Sequence, residues 1–464
     1  MFSTNTYIER RQKLAEQIES GIIVLLGNEE AGMNYTDNTY HFRQDSTFLY
    51  YFGINKAGLV GMIDIDGGTA TLFGDEMTVD DIVWMGNQPS LKETAAKVGV
   101  NYVAPRNQIV EVLQKAQSGG GRAIHYLPPY RAKNTLKLHE WLQIPVKEIT
   151  DKKSIPLIEA VVNQRLVKSE EEIAEIEKAL NVTADLHTTV MEVTQAGVLE
   201  REIVGAIQGI ALREGGQMAY PIILTVNGQT LHNHYHGNKL EKGQLVLGDF
   251  GVELESSYAS DITRTFPVDT HFTDQQKAIY QIVLDAQMAA IEAIRPRISF
   301  KEIHLLAMEV IAEGLKALGL MKGNVDEAVE AGAVALFMPH GLGHAIGLDV
   351  HDMEDLGENL VGYDDTVQRS TKFGYSSLRF GKKLQQGHVI TVEPGIYFIP
   401  ELIDQWQKEG RHADYIHYAA LENYRNFGGI RIEDNVLVTA TGRKVLGKPI
   451  PKTIEEIEAL RNSD

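Results

Sequence analysis

The chain has 464 residues, 43% apolar and 23% charged, with a formal charge of −19 and no cysteine. That length exceeds one ordinary core and predicts two to three domains. Without cysteine there can be no disulfide, thiolate metal site or cysteine nucleophile, so any metal needs oxygen and nitrogen ligands; the acidity argues against nucleic acid or an anionic membrane surface, which need basic patches.

The opening MFSTNTYIERRQKLAEQIES has no hydrophobic segment or small-residue cleavage site and reads as an amphipathic helix. No apolar run is long enough for a membrane span, and the expected location is the cytoplasm. GIIVLLGN at 21–28 predicts a buried strand, and aromatic-rich TFLYYFGI at 47–54 is also read as a strand. From Leu59, LVGMIDIDGGTATLFGD predicts two strands joined at Asp66-Gly67-Gly68. Helical patterns near 90–98, 107–117 and 135–143, with a strand-like RAIHYL at 122–127, complete an α/β domain over 1–155.

From 156 to 464 the texture changes to long amphipathic helices alternating with strand-like runs. Ser169 with Glu172 forms a capping-box pattern for a helix to about 194, and a second helix runs from about Leu199 to Glu214. A third begins at Thr273 or Asp274, and Ser299 with Glu302 repeats the capping box before a fourth. The strand-like runs are 221–226, 244–251, 258–266, 388–392 and 430–438. This region predicts an α+β domain with helices over a curved antiparallel sheet.

The chemistry concentrates in this second region. MPHGLGHAIGLDVH at 338–351 carries His340, His344 and His351 among glycines and aliphatic residues. Histidines in so apolar a segment need partners, and Gly341, Gly343 and Gly347 predict close backbone approach in a strand or loop. Asp249 and Asp261 sit in two strand-like runs that lie side by side if the chain turns back near Glu253–Ser257. Neighbouring strands are ~5 Å apart, which lets both carboxylates reach one site. Glu393 precedes the Pro-Gly break in VITVEPGIY, and Glu433 lies in GGIRIEDN. Arg431 alternates onto the strand face of Glu433, so an ion pair between them is one explanation of that glutamate. Four carboxylates and one imidazole, with no sulfur, suit a pair of hard-to-borderline divalent ions that activate water and polarise a carbonyl.

Taken in order, GDFG, SDITRTFP, HGLGH, TVEPG and GIRIED resemble the metallopeptidase family of prolidase, aminopeptidase P and methionine aminopeptidase, whose catalytic fold is called pita-bread. FRQDSTFLYYFG and the hairpin after it resemble the N-terminal domain of prolidase and aminopeptidase P, which methionine aminopeptidase lacks. The resemblance implies two divalent ions per subunit, expected to be Mn²⁺, with Co²⁺ and Zn²⁺ also permitted. It assigns Asp249 to one ion, His344 and Glu393 to the other, and Asp261 and Glu433 to a bridging position. It further implies that Glu393 handles the proton of the attacking water, that His351 and His232 act on the substrate side, and that His340 and Arg431 border the substrate. His234 and His236 match no family position and are read as loop histidines, whereas Asp37 matches an acid that in aminopeptidase P reaches a neighbouring subunit.

The implied reaction is hydrolysis of the Xaa-Pro bond in small proline-containing peptides by a homodimeric exopeptidase. Arg379, 14 residues before Glu393, looks like the prolidase arginine that holds the proline carboxylate, although Ser376 stands where prolidase has another arginine. Together with the 40-residue interval from Glu393 to Glu433, it favours a dipeptidase over an aminopeptidase P acting on longer peptides. A metal-free binding module on the same fold is the remote alternative.

Overall fold

The computed structural model describes residues 2–119 and 121–462. Two compact units are present, Met1–Arg165 with Met353–Leu360, and Leu166–Asp352 with Val361–Asp464. Among the described residues no helix is long and apolar enough to cross a membrane.

The first unit is built on a mixed sheet of β1 (Ile22–Leu26), β2 (Val60–Asp64), β3 (Thr69–Phe73), β4 (Tyr102–Ala104) and β5 (Ile124–Tyr126), in the order β4-β3-β2-β1-β5. β2 and β3 form the expected hairpin, with Asp64 opposite Thr69 and the Asp64 side chain accepting from the Gly67 amide at 2.8 Å. β5 joins β1 in parallel, as a strand returning after a helix must. Ile22, Val24, Phe73, Leu113, Leu138 and Trp141 form the core between the sheet and helices Ile109–Ser118 and Ala132–Leu142.

The aromatic run at 47–54 is not a strand but the helix Ser46–Phe52. Asp45 caps it by accepting from the Phe48 amide at 2.8 Å, and Gly53 ends it in the left-handed region at φ 61°. Phe48, Tyr50, Tyr51 and Phe52 are all buried. Burial on nearly every side of a short helix has overridden the strand preference of its aromatic residues.

The second unit follows the expected α+β pattern. Helix Glu170–Val193 opens with the Ser169–Glu172 capping box, and helix Asp274–Ala293 with a capping box from Thr273 to Gln276. Helix Phe300–Ala317 lacks the predicted cap, because the Ser299 hydroxyl donates to the Gly381 carbonyl at 2.7 Å instead. Its strands are β6 (Gln217–Met218), β7 (Ile223–Thr225), β8 (Leu245–Phe250), β9 (Val252–Glu253), β10 (Ile262–Pro267), β11 (Val389–Val392), β12 (Gly395–Tyr397), β13 (Gly429–Arg431), β14 (Asp434–Val438) and β15 (Arg443–Val445). They form antiparallel sheets β10-β8-β7, β11-β14-β15, β12-β13 and β6-β9.

The run 430–438, expected as one strand, is two. Arg431 ends β13 opposite Gly395, and Asp434 begins β14 opposite Val392, so Ile432 and Glu433 lie where the chain changes partner. That break lies beside the Pro394 break between β11 and β12.

Candidate metal centre and active site

Asp249 and Asp261 come together because β8 and β10 pair antiparallel, with Asp249 opposite Thr263. Asp261 lies just before β10, and Asn435 of β14 grips its backbone from both sides. The Asn435 side chain accepts from the Asp261 amide at 3.2 Å and donates to its carbonyl at 2.5 Å. The Tyr220 hydroxyl lies against both carboxylates, 2.8 Å from Asp249 and within hydrogen-bonding reach of Asp261.

His344 reaches the same place along another route. Residues 342–346 run beside β11, with the Thr391 amide donating to the His344 carbonyl at 2.9 Å and the Glu393 amide to the Leu342 carbonyl at 2.8 Å. A Cβ on Gly341 would lie 2.6 Å from the Leu378 Cα, and one on Gly343 would lie 2.0 Å from the Thr391 carbonyl oxygen, so both glycines permit the close approach expected of them. His344 Nε2 then lies 3.4 Å from Asp261 and 3.6 Å from Glu393. Glu433 enters from the β13–β14 break, its amide held by the Thr263 carbonyl at 3.0 Å and its Oε2 by the Thr263 hydroxyl at 2.7 Å.

Asp261, His344 and Glu433 are buried and offer ligand atoms that all lie within 4.8 Å of one another. Glu393 adjoins them through His344, and Asp249 through Tyr220. The Glu433 Oε1 is buried with no hydrogen-bond partner. A buried carboxylate oxygen left without a donor is costly unless a cation completes it. Burial, aided by Asp261, Glu393 and Asp249, pushes the Glu433 carboxyl well above the usual carboxylate range. Burial likewise raises Glu393 to about 7, against the pull of His344 and Arg431. Asp249 is also raised by burial, despite Arg431. For His344, burial alone would favour the neutral ring, but the hydrogen bond and charge of Asp261 with the charge of Glu393 outweigh it and raise the imidazole. So many acids crowded into one buried site call for cations, and the donor set fits divalent metal ions.

Arg431 does not pair with Glu433. It lies against Asp249 through Nη2 and donates to the Tyr397 hydroxyl at 2.8 Å and the Thr263 hydroxyl at 3.2 Å. Glu433 is held by the same Thr263 hydroxyl, so the two side chains share a face without forming an ion pair. The Tyr397 hydroxyl in turn donates to His340 Nε2 at 2.8 Å, since His340 Nδ1 donates to the Gly341 carbonyl at 2.8 Å. Burial, with Arg431 nearby, lowers His340 to about 3, which leaves the ring neutral and suited to this chain of donors.

Asp249, Asp261, His344, Glu393 and Glu433 line a cavity of about 400 Å³, a size that suits a small peptide. Its wall also includes His232, His234, His351, Arg379 and Arg431. The His344 and His351 rings meet edge to face at 4.3 Å. His232 is lowered chiefly by desolvation of its ring, against the pull of Asp249. His234, read as a loop histidine, borders the cavity, whereas His236 bonds through Nε2 to the Ile222 carbonyl at 3.0 Å. Asp37 lies in the first unit and is exposed.

The model of metallopeptidase family M24 matches residues 174–440, and that of the aminopeptidase P N-terminal domain matches residues 7–125. The chain belongs to metallopeptidase family M24. It is 34% identical to the Xaa-Pro dipeptidase of Rattus norvegicus over 97% of this chain and 92% of that protein. It is 35% identical to a probable Xaa-Pro aminopeptidase of Aspergillus clavatus over 95% and 92%. The structure of aminopeptidase P from Escherichia coli with the inhibitor Pro-Leu superposes with a TM-score of 0.82 at 30% identity, covering 99% of this chain and 98% of that one.

The M24 match confirms the expected architecture, an aminopeptidase P-type N-terminal domain followed by a pita-bread metallopeptidase domain. Within the M24 domain, sequence reasoning missed Tyr220 and Tyr397. Tyr220 precedes Pro221 at the entry to β7, which carries no sign of its reach toward the aspartates. Tyr397 had a better signal, because β12 follows Glu393 directly and a tyrosine in so apolar a strand needs a partner for its hydroxyl.

Proposed function

We propose that this M24 chain is a two-metal exopeptidase that hydrolyses Xaa-Pro bonds and works foremost as an Xaa-Pro dipeptidase. The observation that carries the reading is the gathering of Asp249, Asp261, His344, Glu393 and Glu433 on one cavity, with a buried Glu433 oxygen lacking any donor. Asp249 would hold one ion, His344 and Glu393 the other, and Asp261 and Glu433 both. Mn²⁺ is the ion proposed, and an all-oxygen-and-imidazole set also accepts Co²⁺ or Zn²⁺. When bound, the ions supply a Lewis acid for the scissile carbonyl and lower the pKa of a water molecule.

The remaining roles fall to the chain. Glu393, on the cavity wall beside His344, is placed to take a proton from the attacking water and return it to the proline nitrogen. His351, against His344 at the cavity wall, is placed to donate to the carbonyl oxygen as its charge develops. Neutral His232 and His340 border the substrate, and Arg431 borders it while offsetting the charge of Asp249. A bond before proline offers no N–H, so recognition must come from side chains and the terminal groups. Arg379 supplies the cation for a proline carboxylate, which only a dipeptide presents next to the cleaved bond.

A second reading, removal of the first residue from longer Xaa-Pro peptides, is supported by the similarity to the A. clavatus protein. The reading includes a homodimer, and the charge of −19 supports its having no nucleic-acid partner. The test is to strip the purified protein of metal, restore Mn²⁺ and follow Gly-Pro. Hydrolysis should return with the ion; a protein that binds no divalent ion and cleaves no Xaa-Pro substrate overturns the proposal.

A further inference from the structure

His232 and His234 reach the cavity from a loop, residues 226–238, between the end of β7 and the chain that leads to β8. A 13-residue loop placed by its own turns would be a loose mount for groups that act on substrate. This one is closed at its base by a single carboxylate. Glu200, the first residue of helix Glu200–Arg213, is wholly buried. Its Oε1 accepts from the Val226 amide at 2.9 Å and from the Asn238 side chain at 3.1 Å. Its Oε2 accepts from the Asn238 amide at 3.2 Å and from the same Asn238 side chain at 3.0 Å. The backbone adds to this, because the Glu200 amide donates to the Asn238 carbonyl and the Arg201 amide to the His236 carbonyl, each at 3.0 Å. Both ends of the loop thus converge on one side chain. Glu200 is not part of the cavity wall.

An anionic acceptor with donors on both oxygens forms stronger hydrogen bonds than a neutral one, and its burial shields them from water. A smaller clasp was available, since the Thr225 hydroxyl accepts from the Asn227 amide and the Asn233 side chain at 3.0 Å each, but it ties the loop only to itself and to β7. Among the described residues, the Glu200 side chain links both loop ends to the helix.

We propose that Glu200 is a positioning residue for the reaction, clamping the ends of loop 226–238 so that His232 and His234 stand at a fixed distance from the metal-ligand cluster. The inference rests on the Xaa-Pro peptidase reading for its catalytic consequence, but not for the clamp itself. Two measurements separate them, made on the full chain with Mn²⁺ restored. Tyr235, at the outer part of the loop, is 65% exposed and offers chymotrypsin a cut within the clamped segment. Glu200→Ala should speed nicking at Tyr235 about tenfold or more through a larger open population, and Glu200→Gln, which keeps one acceptor oxygen, should speed it less. In Gly-Pro hydrolysis Glu200→Ala should lower kcat about tenfold or more by displacing His232. In a His232→Ala background the same substitution should cause little further loss. If Glu200→Ala does not fold, Asn238→Ala removes the other half of the clamp and carries the same expectations. Unchanged nicking overturns the clamp, and losses of kcat that multiply in the double variant overturn its action through His232. Faster nicking in a protein whose wild type cleaves no Xaa-Pro peptide leaves the clamp standing and rejects the function instead.

Discussion

Arg431 lies against Asp249 as a buried ion pair, the two side chains only 4% and 12% exposed. The pair joins an arginine at the end of β13 to an acid in β8, and so ties two sheets of the second unit at the cavity wall. Removing one member of such a pair leaves a buried charge uncompensated, at a cost of ~3–5 kcal/mol. Arg431→Met is expected to lower the stability of the metal-free protein by that order, measured by denaturant unfolding. Restoring Mn²⁺ should recover part of the loss, because a cation beside Asp249 replaces the missing guanidinium. A variant equally unstable with and without the ion would count against Asp249 as a ligand.

The raised carboxyls predict how the metal-free protein responds to pH. Glu393 moves from an ordinary 4.5 to about 7, and Glu433 and Asp249 move in the same direction. The native state therefore holds protons that the unfolded chain has already released. With more protons bound when folded, stability falls as pH rises, and for Glu393 the fall spans the interval from about 4.5 to about 7. Its size for that one group is ~3 kcal/mol. Unfolding midpoints of chelator-treated protein should drop between pH 5 and pH 8, and saturating Mn²⁺ should flatten the slope. Calorimetry at pH 6 should also detect proton release on metal binding.

Much of this was legible in the sequence, for physical reasons that differ by element. The hairpin at Asp66-Gly67-Gly68 and the helix starts at Ser169 and Thr273 depend on a few adjacent residues, and local chemistry decided them. Asp249, Asp261, His344, Glu393 and Glu433 stood out because polar groups in apolar strand contexts need partners, and the structure does bring them to one cavity. Helix Ser46–Phe52 was not legible, since aromatic residues suit a strand until the packing on both sides is known. The partner of Arg431 was not legible, because Asp249 is distant in sequence and nothing local marks the pairing. Alternation puts Arg431 and Glu433 on one face, where both reach the Thr263 hydroxyl, but it does not say which acid the arginine takes.

The close passage at Gly343 gives a sharper test of the His344 segment. A methyl group there would need to occupy space 2.0 Å from the Thr391 carbonyl oxygen and 2.9 Å from its side-chain oxygen. Neither backbone can yield without shifting His344 or β11. Gly343→Ala should therefore cost at least ~1–3 kcal/mol of stability and move His344 off Asp261. The expected signature is weaker Mn²⁺ binding by titration calorimetry. Gly205→Ala, on an exposed helix position where a Cβ meets nothing within 4 Å, should leave Mn²⁺ binding unchanged and raise stability by ~0.5–1 kcal/mol, and serves as the control.

The choice between dipeptide and longer peptide turns on Arg379. Arg379 borders the cavity beside Ser377, on the loop that packs over Gly341. A dipeptide brings a proline carboxylate to that place, whereas a tripeptide brings a neutral amide. A charge-assisted pair with a carboxylate is worth roughly twice a neutral hydrogen bond, so only the dipeptide should feel the loss of the cation strongly. Arg379→Ala should raise KM for Gly-Pro and Ala-Pro about tenfold or more, from ~1.5–3 kcal/mol of lost interaction, while kcat changes less. Its effect on Ala-Pro-Ala should be slight. Arg379→Lys, which keeps the charge but not the planar fork, should recover part of the dipeptide affinity. If the wild-type protein cleaves Ala-Pro-Ala faster than Ala-Pro, and Arg379→Ala affects both alike, the arginine does not read the carboxylate and the aminopeptidase reading takes its place.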